Sequence, residues 1–99
     1  MKNILENEVI YITGASAGIG YATAELCLSY GATVVITGRN VDNLDKANQE
    51  LLKISSKVIS HNVDVSNESE IVDSLKEIHT SFGKVDGLIN NAPSIHTGK

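Results

Sequence analysis

The chain has 99 residues, 8 of them basic and 12 acidic, giving a formal charge of −4 and a pI near 5.2. That is room for one domain at the small end of the range in which a single core suffices, and the absence of a basic stripe argues against nucleic-acid binding. No apolar run approaches a membrane span, and Glu6 and Glu8 interrupt any signal-peptide core, so the chain is expected to stay in the cytoplasm and off the membrane.

Apolar runs alternate with helix-period segments, the pattern of successive βαβ units around a parallel sheet. A strand is predicted near residues 8–13, followed by a helix from about 18 to 30 with Ile19, Ala22 and Leu26 as its apolar stripe and Gly31 as its stop. Residues 33–37 are rich in β-branched side chains and read as a second strand. The next helix starts after Asn40 as N-cap and runs to about Leu52 or Ile54, with Leu44, Ala47, Leu51 and Ile54 facing inward. A third strand is expected over roughly 57–63. Ser66 can cap a third helix in which Glu68 and Glu70 suit the positive end of the dipole, Ile71, Leu75, Ile78 and Phe82 recur at helical spacing, and Gly83 ends the run. Residues 86–90 form the fourth predicted strand, and 94–99 read as a frayed tail.

Chemistry is concentrated where predicted strands end. Thr13-Gly14-Ala15-Ser16-Ala17-Gly18-Ile19-Gly20 joins the first strand to the first helix. Glycines there let backbone approach phosphates while free amides and the positive end of the helix dipole face negative charge, so the stretch is expected to seat a dinucleotide's pyrophosphate. The glycines at 14, 18 and 20 depart from the commoner G-x-G-x-x-G spacing. Asp64-Val65 follows the third strand and Asn90-Asn91-Ala92 the fourth. In an open parallel sheet those carboxyl ends line one crevice, the usual ligand site. Cys27 is the single cysteine and reads as a small buried hydrophobe. His61, His79 and His96 share no metal-ligand spacing with one another or with Cys27, so they are read as surface or core residues and no metal site is expected.

With these three motifs the chain resembles the short-chain dehydrogenase/reductase family from about residue 8 to residue 92. The family's TGxxxGIG matches at Thr13 to Gly20, its Asp-Val at Asp64-Val65, and its NNAG at Asn90, Asn91 and Ala92, with Pro93 in place of the last glycine. Pro93 removes a backbone N–H and fixes φ there. The resemblance implies an α/β, Rossmann-type doubly wound parallel sheet, here incomplete, with four strands and three helices in the order 3-2-1-4. The first two helices would cover one face and the third the other, leaving the fourth strand as an open edge with apolar surface for self-association. Within that fold Gly14, Ser16, Ile19 and Gly20 would lie along the phosphates, with Gly18 in the same turn. Asp64 and Val65 would contact the adenine, Asn91 and Ala92 would approach the adenine ribose, and Thr13 and Asn90 would mainly tie strand ends together.

At the end of the second strand, an acidic residue would accept from the ribose 2′-OH and repel a 2′-phosphate; the chain has Gly38-Arg39 instead. The guanidinium suits phosphate, and Ser16 can add a hydroxyl, so NADP(H) is expected over NAD(H). Ala17 stands where NADP-preferring members often carry a second basic residue. The family's chemistry needs a Ser, a Tyr acid/base and a Lys four residues after that Tyr. Here Tyr11, Tyr21 and Tyr30 are followed at that spacing by Ala15, Glu25 and Val34, so no catalytic residue is assigned. Residues 1–93 are therefore read as the partial cofactor-binding domain of an oxidoreductase that moves hydride between nicotinamide and a carbonyl or alcohol, inactive as these residues alone. The alternative is a non-catalytic dinucleotide-binding or interaction module that pairs through its open sheet edge. A phosphoacceptor receiver domain would also place an Asp where Asp64 stands, but it needs carboxylates after the first strand, where this chain has Ile12-Thr13 and glycines.

Overall fold

A computed structural model describes residues 3–91 of the chain. Ala92, Pro93 and the tail 94–99 lie outside the described residues. In chain order the elements are β1 (Val9–Thr13), α1 (Gly18–Ser29), β2 (Thr33–Gly38), α2 (Val41–Leu52), β3 (Val58–Asn62), α3 (Glu68–Phe82) and β4 (Gly87–Asn90). The strands are all parallel, in the order β3-β2-β1-β4. The α/β fold and the strand order that the resemblance implies are those observed.

Strand alternation sorts the apolar side chains onto two faces. Ile12, Val34, Ile36 and Val58 point to one face and pack with Ala24 and Leu28 of α1 and with Leu44, Ala47 and Leu51 of α2. Val9, Tyr11 and Val35 point to the other and meet Ile78 of α3, with Leu75 and Val85 beside it. Buried on both faces, β1 and β2 are nearly continuous runs of apolar residues, as central parallel strands are.

Four local expectations are corrected. The stripe assigned to the inside of α1 is outside: Ile19 is 75% and Leu26 57% exposed, and Ala22 is exposed as well, while Gly20, Ala24 and Leu28 are buried. The small residues Gly20 and Ala24 let the helix axis approach the sheet, which a face of Ile19 and Leu26 would not. The α3 N-cap is Asn67, whose Oδ1 accepts from the Glu70 N–H, and not Ser66. Ile54 lies beyond the end of α2 and is exposed, and so is Phe82 at the last residue of α3.

One buried polar chain crosses the α3 face. Tyr11, fully buried, donates its hydroxyl to Ser74 Oγ at 2.7 Å, and Ser74 Oγ lies 2.7 Å from His61 Nδ1. His61 Nε2 is 3.5 Å from a Glu77 carboxylate oxygen at the surface. A buried phenol requires such a partner, and burial pushes the Tyr11 hydroxyl above its ordinary pKa.

Candidate functional site

Parallel pairing brings the carboxyl ends of the strands level. Thr13 sits beside Asn90 and Gly38 beside Asn62, and the connections leaving these ends surround one crevice. Thr13 Oγ1 donates to Asn90 Oδ1 at 2.9 Å and accepts from the Asn91 N–H at 3.0 Å, so this pair ties the ends of β1 and β4 together.

The turn after β1 is folded down onto the sheet by the Ala15 N–H, which donates to the Thr37 carbonyl at 3.2 Å. Gly14 and Gly18 have φ of 67° and 66°, where a side chain is strained. Gly20 is fixed by space: a Cβ there would stand 2.5 Å from the Gly14 carbonyl oxygen and 2.8 Å from Asn91 Nδ2. A Cβ on Gly18 would meet nothing within 4 Å, so that glycine faces the open side of the turn. Ile19 belongs to the turn through its backbone, since its side chain points to solvent.

The three helix N-termini differ. Asn40 caps α2, its Oδ1 accepting from the Asn43 N–H at 2.9 Å, and Asn67 caps α3. Their first turns carry Asp42, and Glu68 with Glu70. Before α1 stands the extended residue Ala17, no side chain caps the helix, and its first turn holds no acidic residue. The positive end of the α1 dipole is thus left without a built-in anion, directly over the glycine turn.

On the far side of the crevice Arg39 is exposed in the short link between β2 and α2. A Cβ built on Gly38 would lie 4.0 Å from Ser16 Cβ, so the glycine turn and the end of β2 are in reach of each other. Asp64 follows β3, with its Oδ1 accepting from the Ser66 hydroxyl at 2.6 Å and the Ser66 N–H at 3.0 Å. These bonds, helped by the nearby Arg39 charge, hold the Asp64 carboxyl below its ordinary pKa. The Asp64 N–H donates to Glu70 Oε1 at 3.0 Å, which braces the loop carrying half-buried Val65. Gly14, Ser16, Gly18, Gly20, Arg39, Asp64, Val65 and Asn91 therefore ring one edge of the sheet, while Ala92 lies outside the described residues. Sequence reasoning passed over Asn62, whose side chain bonds the β2–α2 link; a lone polar residue closing a strand carries no periodic signal.

An open parallel sheet with a glycine turn and an uncapped helix at the reversal of strand order is the architecture of a nucleotide-binding α/β domain. The model of the short chain dehydrogenase family matches residues 8–99, and the chain belongs to that family. It is 36% identical over 88 residues to a Bacillus subtilis (strain 168) protein named "Probable 2,4-dienoyl-CoA reductase", covering 89% of this chain and 35% of that one. Among solved structures, a metagenomic short-chain oxidoreductase in complex with NADP superposes with a TM-score of 0.84 at 36% identity, over 91% of this chain and 41% of that one. An NAD+-bound xylitol dehydrogenase superposes with a TM-score of 0.86 at 28% identity, over 92% of this chain and 35% of that one. The chain thus spans between a third and about two-fifths of the length of these relatives. Likeness to both structures supports a nicotinamide dinucleotide and leaves the choice between the two to the residues of this chain.

Among the described residues no helix is long and apolar enough to cross a membrane.

Proposed function

We propose that residues 1–93 form the NADP(H)-binding half of a short-chain dehydrogenase/reductase, an oxidoreductase that transfers hydride between nicotinamide and a carbonyl or alcohol substrate. The observation that carries the reading is the α1 N-terminus, which is glycine-lined, uncapped and free of acidic residues, where α2 and α3 are both capped and acidic. The residues fit the group: Gly20 has no room for a side chain, Gly18 leaves the outer side of the turn clear, and no side-chain cap occupies the N-terminus of α1.

In this reading Gly14, Ser16, Gly18, Ile19 and Gly20 hold the pyrophosphate, Asp64 and Val65 the adenine, and Asn91 with Ala92 the adenine ribose. Arg39, with Ser16 beside Gly38, takes the 2′-phosphate and favours NADP(H) over NAD(H). When bound, the nicotinamide donates or accepts the hydride; the residues of this chain bind and orient it. None of Tyr11, Tyr21 or Tyr30 has a Lys four residues later, so these 99 residues bind the cofactor without turning over substrate. An acidic chain with a single cysteine suits the reducing cytoplasm, and no membrane or nucleic-acid partner is proposed.

Calorimetric titration of NADP+ and NAD+ into the chain tests this. A charge-assisted pairing is worth roughly 1.5–3 kcal/mol, so NADP+ should bind about 10- to 150-fold tighter, and Arg39→Ala should erase the difference. An unchanged NADP+ affinity in the variant removes the assignment of Arg39. No heat with either nucleotide, together with unmoved amide resonances from Ser16 to Gly20, removes the site.

Exposed Leu88 and the edge of β4, unpaired among the described residues, favour a second reading, a binding or interaction module that pairs through this edge. Sedimentation velocity should then show concentration-dependent association that Leu88→Asp weakens.

A further inference from the structure

We infer that Asn62 is a positioning residue for cofactor choice: it fixes the peptide that carries Arg39, and through it the place of the guanidinium. The inference rests on the reading of Arg39 as the 2′-phosphate ligand.

Asn62 closes β3 opposite Gly38. Its Nδ2 donates to the Gly38 carbonyl at 2.8 Å and to the Arg39 carbonyl at 3.0 Å, so both amide hydrogens are used on consecutive peptides. The orientation of the amide follows from its partners, because two carbonyl oxygens can face only the NH2 group. The Gly38 carbonyl also accepts from the Val63 N–H at 3.1 Å. On the far side of Arg39, Asn40 is occupied in capping α2.

The link between β2 and α2 is only Arg39 and Asn40 long, and its turn is too short to hold itself. Gly38 at its start adds backbone freedom. Asn62 removes that freedom from the third strand, across a sequence distance that local patterning does not see. With both carbonyls pinned, the Arg39 Cα is fixed and its side chain is directed by rotamers alone. The same clamp sits between Arg39 and Asp64, the two opposite charges of this rim. A loosened link would let the guanidinium settle on the Asp64 carboxylate, which already feels its charge, and so withdraw it from a 2′-phosphate.

The test is a double-mutant cycle on the ratio of NADP+ to NAD+ affinities, measured by calorimetry on the chain with Asn62→Ala, Arg39→Ala and both. Loosening the link should lower the ratio roughly three- to tenfold in Asn62→Ala, about the worth of one neutral hydrogen bond. Added to Arg39→Ala, the same change should leave the ratio where it is, because the clamp has nothing left to aim. Asn62→Ser, which keeps one short donor, should fall between wild type and Asn62→Ala. A purely structural Asn62 would weaken both nucleotides alike at constant ratio, and that result overturns the inference while leaving Arg39 in place. A ratio already unmoved by Arg39→Ala overturns the reading beneath it. If Asn62→Ala does not fold, the Asn62 side-chain amide resonances of the wild-type chain decide: they should shift with 2′,5′-ADP and stay put with 5′-AMP. Equal response to both nucleotides overturns the inference.

Discussion

β2 and β4 belong to one sheet and are similarly apolar, yet they have opposite surroundings. β2 is hydrogen-bonded on both sides, and Val34, Val35, Ile36 and Thr37 are all 0% exposed under helices on both faces. Among the described residues β4 is paired only to β1, and Leu88 at its middle is 58% exposed. The difference is one of cover and not of composition. The candidate site straddles the boundary: Gly38, Arg39 and Asp64 come from the covered side, and Asn91 from the uncovered one. The β2 side of the site thus rests on a strand packed on both faces, whereas the β4 end is held by the Thr13 clasp and by Asn91 against Gly20.

The largest expected effect tests this contrast directly. Ile36→Ala removes a fully buried side chain from the centre of the sheet and should cost about 2–5 kcal/mol. Leu88→Ala, on the exposed strand, should stay within about 0.5 kcal/mol. Chemical denaturation of the two variants checks the pair, and comparable losses would mean that β4 is covered in solution.

Next comes the boundary itself. Gly20→Val places its Cβ against the Gly14 carbonyl and the Asn91 amide at once, so the turn or the end of β4 must move. Overpacking of this kind costs roughly 1–3 kcal/mol. Because both displaced groups face the crevice, dinucleotide affinity should fall by at least about tenfold. Gly18→Ala is the control for stability: no protein atom obstructs its Cβ, and only the positive φ opposes it, at roughly 1 kcal/mol. Thermal melts separate the two, and equal losses of stability would remove the packing argument for Gly20.

The same contrast explains what could be read from the sequence. Each strand and helix was legible to within two residues, because alternating apolar runs, Asn40 as a cap and Gly83 in the left-handed region at 79° are local signals. The motif residues were legible because they end strands. The inner face of α1 was not: the helix is apolar nearly all round, so periodicity offers several stripes, and the choice is made by how closely Gly20 must approach the turn. The Tyr11–Ser74–His61 chain and the Asn62 clamp were equally hidden, since each joins residues 13 to 63 positions apart through a sheet register that no window contains. Asn67 in place of Ser66 as the α3 cap is a shift of one residue, decided by Ser66 turning back to Asp64.

The smallest effect lies at the opposite end of β1 and β4, away from the crevice. There the Asp86 carboxylate accepts from the Val9 N–H at 2.7 Å, while the Asp86 N–H donates to the Val9 carbonyl at 2.8 Å and Lys84 Nζ stands 3.1 Å away. The Val9 hydrogen bond first, and Lys84 second, hold the Asp86 carboxyl below its ordinary value of 3.8. A carboxyl with a depressed folded-state pKa stabilises the fold fully above its unfolded value and loses that contribution as pH falls through the folded one. Wild type should therefore lose melting temperature on acidification through and below pH 3.8 more steeply than Asp86→Asn, while at neutral pH the variant should melt lower. Melting curves collected across that range decide it: parallel pH profiles would mean that the carboxylate is not what joins the exposed strand to the covered sheet.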